Sequence, residues 1–287
     1  MKKKILKRRI NRSVAGDIGV FLVLLIGGLF MFLPVLYIIS NAFKPLDELW
    51  IYPPRFFVRN PTIKNFTDLS IVASSSWVPF MRYVFNTVAI TVIGTGGHVI
   101  IASLCAYALA KHVFPGSRLI FSTIVIALMF NPVVTSIPNY LIMSEIKLID
   151  TLWSLIIPAF ALPLGLYLMK QFMEQMVPDT VLEAARIDGA GEGKIFFGIV
   201  MPIVKPAWLT LILFSFQSLW ATGNSSFIYS EELKTLQYAL NNIKSAGLAR
   251  AGAHAAGTLI MMLVPITIFL LTQSRIVETM ATSGMKD

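Results

Sequence analysis

Charge is what this sequence has least of. Only 14% of its 287 residues are Asp, Glu, Lys or Arg, while 56% are hydrophobic. Soluble domains usually carry about 25% charged residues, and the mean hydropathy here is +0.72. An ordinary soluble fold is excluded on that ground, and the chain reads as a membrane protein. There is a single cysteine, Cys105. It has no internal disulfide partner, and its apolar surroundings make it a packed thiol on the simplest reading. No HExxH, GxSxG or CxxC pattern occurs, so the commonest hydrolase and metal signatures are missing.

Acid is missing where it would matter most. Six mostly apolar stretches contain no Asp, Glu, Lys or Arg: 18–39, 85–110, 119–138, 152–169, 207–222 and 253–272. A membrane helix needs roughly 17–25 residues. Five windows meet that, and the fifth in order is extended by Pro206 and by Gly223–Asn224 at its ends. A charge at a helix centre costs about 2.5–3.5 kcal/mol on insertion scales, so six charge-free windows predict six spans. Intramembrane acids mark proton relays and ion pathways. Without them a proton- or sodium-driven carrier is disfavoured. His98 is the one ionisable residue deep in a window and reads as a packing histidine.

What charge there is has a pattern. The net charge is +9, and Lys2, Lys3, Lys4, Lys7, Arg8, Arg9 and Arg12 form a basic head. No basic face with interleaved aromatics follows, so nucleic acid is not an expected partner. A basic head beside an apolar span reads as a cytoplasmic anchor on anionic membrane lipid. The first window is 22 residues long and no small-x-small site follows, so it reads as a retained span and not a signal peptide. With the N-terminus inside, the inner segments hold 15 of the 24 basic residues and the outer segments 9. Both termini are therefore expected in the cytoplasm of a bacterial cell, with the chain a multi-pass protein of the plasma membrane. The expected division is a basic N-terminus at 1–17, a membrane domain at 18–272 and a short tail at 273–287.

Small residues recur within the windows. Ala102, Ala106 and Ala110 share one helix face, with Gly94, Gly96 and Gly97 just before them. Close helix packing follows from such a face. Pro34, Pro132, Pro158, Pro163 and Pro265 are expected to kink helices.

The inner segment 170–206 is long and unlike a loop. Thr180 followed by Glu183 has the spacing of a capping box, and Val181, Leu182, Ala184, Ala185 and Ile187 give a short helix from Thr180 to Asp188. Gly189 is its expected left-handed stop. A second helical run is expected from Lys194 to Met201, ended by Pro202. A nine-residue helix, about 13 Å long, is marginal alone in water and must dock against something. The run Gly189-Ala-Gly191-Glu-Gly193-Lys194 resembles a phosphate loop only superficially. Asp188 stands at the first glycine position, Ile195 replaces the Ser or Thr, and no strand precedes it. ATP and Mg²⁺ are therefore not expected cofactors of this chain.

Glu183-Ala184-Ala185, Gly189, then Ile199, Met201 and Pro202 resemble the EAA signature of ABC importer permeases, EAA-x3-G-x9-I-x-L-P, with methionine in place of leucine. The resemblance implies an all-α membrane fold of six transmembrane helices with a cytoplasmic coupling helix. It also implies a role for Thr180, Glu183, Ala184, Ala185, Asp188, Gly189, Ile199 and Pro202 at an ATPase subunit. The implied partners are a second permease, two ATPase subunits that bind ATP and Mg²⁺, and an extracellular sugar-binding protein. Ser40-Asn-Ala-Phe-Lys44-Pro45, Pro53-Pro54, Asn65-Phe66, Asn86-Thr87 and the Gly284 tail are similar to the second permease of maltose-type carbohydrate importers. An oligosaccharide is the expected solute. Importers of peptides or polyamines share the EAA signature, and a stand-alone secondary carrier is the rival from another class. Asn131, Gln217, Trp220, Tyr238 and Asn241 are candidate substrate-path residues, since sugar sites pair aromatic faces with amides. No covalent catalysis is expected of the chain itself.

Overall fold

The computed structural model describes residues 14–74, 77–223 and 225–283. The basic head, Asn224 and the Gly284 tail lie outside them. The described residues form helices and connecting loops, with no strand among them. In chain order the α-helices are α1 Val14–Phe43, α2 Leu46–Leu49, α3 Lys64–Ser74, α4 Phe80–Lys111, α5 Ser117–Ala127, α6 Pro132–Glu145 and α7 Trp153–Phe160. They continue with α8 Pro163–Met176, α9 Asp179–Ile187, α10 Glu192–Ile195, α11 Met201–Ile203, α12 Lys205–Trp220, α13 Leu236–Ser245 and α14 Ala251–Ser283.

The hub is α4, which packs against α7, α8, α12 and α13. Its small residues explain how. A Cβ on Gly97 would lie 2.2 Å from the Phe160 ring, and one on Gly94 would lie 2.6 Å from Leu219. Ala102 and Ala106 are buried further along the same helix. The small face thus brings α7 and α12 close to the α4 backbone, where lipid supplies no hydrophobic drive. His98 is buried in this contact, its Nδ1 3.3 Å from the Phe160 carbonyl. A Cβ on Gly165 of α8 would meet the imidazole at 2.0 Å, so His98 fills a slot that only glycine leaves open. Cys105, expected to be packed, is exposed instead. It lies on the side of α4 away from these neighbours, where apolar sequence signals lipid or partner contact as readily as burial.

Among the described residues, four helices are long and apolar enough to cross a membrane: Gly16–Phe43, Phe80–Lys111, Trp153–Met176 and Leu248–Gln273. Glu192–Ile203 and Lys205–Trp220, bent by 80° at their junction, would make a fifth. The window 119–138 is not one helix. It is divided between α5 and α6, because Asn131 caps a new helix through Oδ1 and Pro132 opens its first turn without needing a donor. Pro163 likewise starts α8, so Pro132 and Pro163 begin helices where kinks were expected. Pro34, Pro158 and Pro265 lie inside α1, α7 and α14.

Two larger hydrophobic clusters lie toward opposite ends of α4, and a small one of Ile90, Ile156, Ala159 and Leu219 lies midway along it. The first of the larger clusters joins Tyr107, Met169, Met173, Leu182, Ile195, Phe196 and Leu211. The other joins Leu69, Tyr83, Trp220, Leu236, Leu240, Ile243 and Met261. At this second end, buried amides fasten the connections. Asn65 Nδ2 donates to the Ala42 carbonyl at 2.9 Å and to that of Lys44 at 2.7 Å. Asn86 Nδ2 donates to the carbonyls of Glu232 and Lys234, and the Thr87 hydroxyl accepts from the Leu236 N–H. Three of the motif residues read from the first third of the sequence therefore pin backbone that has no ladder partner of its own. Asp150, with φ of 60°, ties a further connection by accepting from the Tyr229 and Ser230 N–H groups at 2.9 and 2.8 Å.

Candidate functional site

The segment 170–206 folds as a docked, terminated helix followed by a bent run. The short helix α9 begins at Asp179, one residue before the expected start, with Pro178 in the cap position and no side-chain cap bond. The expected capping box of Thr180 and Glu183 is not formed. Thr180 already lies in the first turn, so its hydroxyl is past the point where it could cap. Leu182 and Ala185 are buried against the first cluster, while Thr180, Glu183, Ala184, Asp188 and Gly189 are exposed. Ile187 is 86% exposed, which is unusual for so apolar a side chain.

The helix stops as the sequence dictates. Gly189 has φ of +79°. The Ala190 N–H bonds the Ala185 carbonyl at 2.9 Å and the Gly189 N–H bonds that of Arg186 at 3.0 Å. These two bonds are the Schellman arrangement, which satisfies the last carbonyls of a helix through one left-handed residue. Of the glycine-rich run, Gly189 to Gly191 make the turn out of α9, and Glu192 to Lys194 already belong to α10. Beyond it, α10 passes through a π-helical turn, Phe196–Val200, into α11. Pro202, expected to end this run, lies within α11, and the chain breaks at Val204 instead. The π turn accounts for this: Met201 N–H reaches back five residues to the Phe196 carbonyl, so the ladder is already shifted when the donor-less proline arrives. Ile199 is half-buried against the cluster and Pro202 is exposed.

Side chains that sequence patterns did not single out hold this loop. Lys111, at the end of α4, donates to the Val177 carbonyl at 2.7 Å and to Asp179 Oδ1 at 2.8 Å. Glu192 accepts from the Tyr107 hydroxyl at 2.7 Å and from Arg186 Nε at 2.9 Å. His112 Nε2 lies 3.6 Å from the same carboxylate. Only the i, i+4 spacing of Tyr107 and Lys111 was available in the sequence as a signal, and it does not specify a partner so far along the chain.

The substrate-path candidates separate into groups. Gln217, Trp220 and Asn241 come together around a cavity of about 590 Å³ between α1, α12, α13 and α14, joined by Gln237, Lys244, His254 and Thr258. Trp220 is mostly a structural peg: it is 7% exposed, and its Nε1 donates to the Met261 carbonyl at 3.0 Å. Tyr238 lies elsewhere, its hydroxyl 3.2 Å from Glu231 Oε2. It packs against the second cluster and does not line that cavity. Asn131 is exposed and committed to capping α6. A second cavity, of about 360 Å³, lies on the other flank of α12 and is lined by His98, Gly165, Phe214, Ser215 and Ser218 among others. The buried Ser215 hydroxyl has no protein partner there.

No family model matches the chain. Relatives do. A putative ABC transporter permease protein, ORF2, of Caldicellulosiruptor is 31% identical over 207 residues, covering 70% of this chain and 71% of the relative. The melibiose/raffinose/stachyose import permease protein MelC of Bacillus subtilis is 26% identical over 262 residues, covering 89% of this chain and 91% of that one. Among solved structures, a chain of a bacterial ABC transporter involved in the import of the acidic polysaccharide alginate superposes with a TM-score of 0.75 at 23% identity, over 92% of this chain and 98% of that one. The helical bundle, its apolar spans and these relatives define an integral membrane transport permease. The chain belongs to the ABC importer permease family.

Proposed function

We propose that this chain is one of two permease subunits forming the path by which an ATP-driven importer takes up an oligosaccharide. Similarity over almost the full length of a named oligosaccharide import permease carries the solute class. The exposed face of α9 carries the coupling. In this reading α9 is the coupling helix, and Thr180, Glu183, Ala184, Asp188 and Gly189 meet a separate ATPase subunit. Ala185 keeps the helix seated, and Ile199 and Pro202 set the course of the run behind it. The ATPases bind ATP and Mg²⁺ and perform the hydrolysis, while an extracellular sugar-binding protein delivers the solute to the opposite end.

The reading requires six crossings with both termini in the cytoplasm. The third is built from α5 and α6 in two pieces, and the fifth is α12, with α10 and α11 lying across the cytoplasmic face at its base. A 16-residue helix such as α12 spans about 24 Å, close to the roughly 30 Å of hydrocarbon. Gln217 and Asn241, beside the larger cavity, are the path residues this arrangement favours, with Trp220 as their support.

The test is uptake in vesicles reconstituted with both permeases, the ATPases and the binding protein. Labelled raffinose or stachyose should accumulate only with ATP inside and the binding protein outside. Accumulation driven by a pH or Na⁺ gradient without ATP would refute the proposal.

A further inference from the structure

We infer that Lys111 and Glu192 are positioning residues that fix α9 to α4 at both ends of the short helix, so that the two move as one lever. The inference rests on α9 being the coupling helix and goes on to say how its displacement reaches the membrane.

Nine residues of helix cannot hold their place unaided. A helix fastened at one point pivots about it; fastened at two, it transmits rotation. The first fastening is at the start of α9. Lys111 is 5% exposed, and it spans the Val177 carbonyl just before the helix and Asp179 Oδ1 at its first residue. The second is at its end. Glu192, just past the Schellman turn, bridges Arg186 in the last turn of α9 to the Tyr107 hydroxyl on α4. Tyr107 and Lys111 are four residues apart and therefore share one face of α4, about one turn from each other. Between the fastenings, Leu182 and Ala185 pack into the cluster that holds Tyr107, Met169 and Met173. Charge-assisted bonds of this length are the stronger class, and the apolar contact alone would let α9 rock. A push on the exposed face of α9 is thereby delivered to α4. That helix also carries His98, at the wall of the cavity beside α12.

The experiment uses the complete importer in vesicles, with one spin label on the native Cys105 of α4 and one on α9 at Val181→Cys. Two quantities are read: the width of the inter-label distance distribution, without nucleotide and with ATP, and the solute imported per ATP hydrolysed. In the parent complex the distance should stay narrow and unchanged between the two states. Lys111→Met and Glu192→Gln should broaden it and lower import per ATP about fivefold or more, the low end of ordinary coupling between sites. Tyr107→Phe, which removes one hydroxyl and no bulk, should do the same to a smaller extent and guards against misfolding of the charge variants. The exchange Arg186→Glu with Glu192→Arg should recover part of the loss seen with either change alone. Unchanged distance widths and unchanged import per ATP in Glu192→Gln, Lys111→Met and Tyr107→Phe would overturn the lever. A parent complex that hydrolyses ATP without importing solute would overturn the coupling-helix reading and the lever with it.

Discussion

Replacing Gly189 with valine isolates the backbone requirement of the loop. A Cβ at this position would meet nothing within 4 Å, so no side chain is displaced. The cost arises from φ of +79° alone. A left-handed residue costs an ordinary L-amino acid about 1–2 kcal/mol, and a β-branched one stands at the upper end. At about 1.4 kcal/mol per factor of ten, Gly189→Val should depopulate the terminated form of α9 some ten- to thirtyfold. The two turn bonds, to the carbonyls of Ala185 and Arg186, are lost together when the residue leaves this region. The helix then runs on toward Gly191 and carries Glu192 away from Tyr107. Asparagine tolerates the left-handed region, so Gly189→Asn should behave nearly as the parent and Gly189→Ala should fall between. The assay is retention of the ATPase subunits on the purified permease pair, with solute-stimulated hydrolysis measured on the same samples. The expected order is glycine, asparagine, alanine, valine. Equal retention and equal stimulation for valine and asparagine would refute the argument, because the two differ chiefly in their tolerance of this conformation.

Other expectations follow from particular contacts. Glu183 is exposed and forms no capping box, so Glu183→Lys should leave the melting temperature of the permease pair unchanged while weakening ATPase retention; a loss of melting temperature instead would make the residue structural. Gly165→Leu should destabilise the bundle strongly, since even a Cβ there lies 2.0 Å from His98 Nε2, and Gly165→Leu with His98→Ala should recover part of the loss in a detergent melt. Asp150 accepts from the Ser230 hydroxyl and from the Ser230 and Tyr229 N–H groups, which holds its carboxyl below the ordinary value of 3.8. Its contribution to stability is present above that value and is lost as pH falls through the depressed folded one. The melting difference between parent and Asp150→Asn should therefore be full at neutral pH and shrink on acidification below 3.8. Reporter fusions after Gly284 and within 223–252 should report opposite sides of the membrane, inside and outside respectively; a common side would remove the six-crossing topology.

Much of this protein was legible in its sequence because the signals are local. Scarce charge and long apolar windows impose helices, since a backbone in lipid must satisfy its own hydrogen bonds. The stop at Gly189 follows from a single residue's freedom at positive φ, and the length of α9 was expected to be nine residues, as it is. The face of Ala102, Ala106 and Ala110, with Gly94, Gly96 and Gly97 before it, announced close packing on α4, though not which helices would use it nor that Gly96 would face open space.

What the fold decided depends on partners distant in the chain. Capping by Thr180 failed because α9 starts one residue early, where the Lys111 ammonium holds Val177 and Asp179; the ammonium comes from 66 residues away and its sequence position says nothing of that. Tyr107 and Glu192 are separated by 85 residues and meet through the packing of α4 against the loop. Trp220, Gln217 and Asn241 converge because α13 folds back over the end of α12, whereas Tyr238, also on α13, bonds Glu231 and does not line the cavity. The window 119–138 has the composition of one span, but Asn131 and Pro132 divide it. Composition sets which stretches prefer lipid, while capping geometry sets where each helix begins. Hydrophobic periodicity assigns a segment its solvent; only the assembled bundle assigns each polar side chain the group that it bonds.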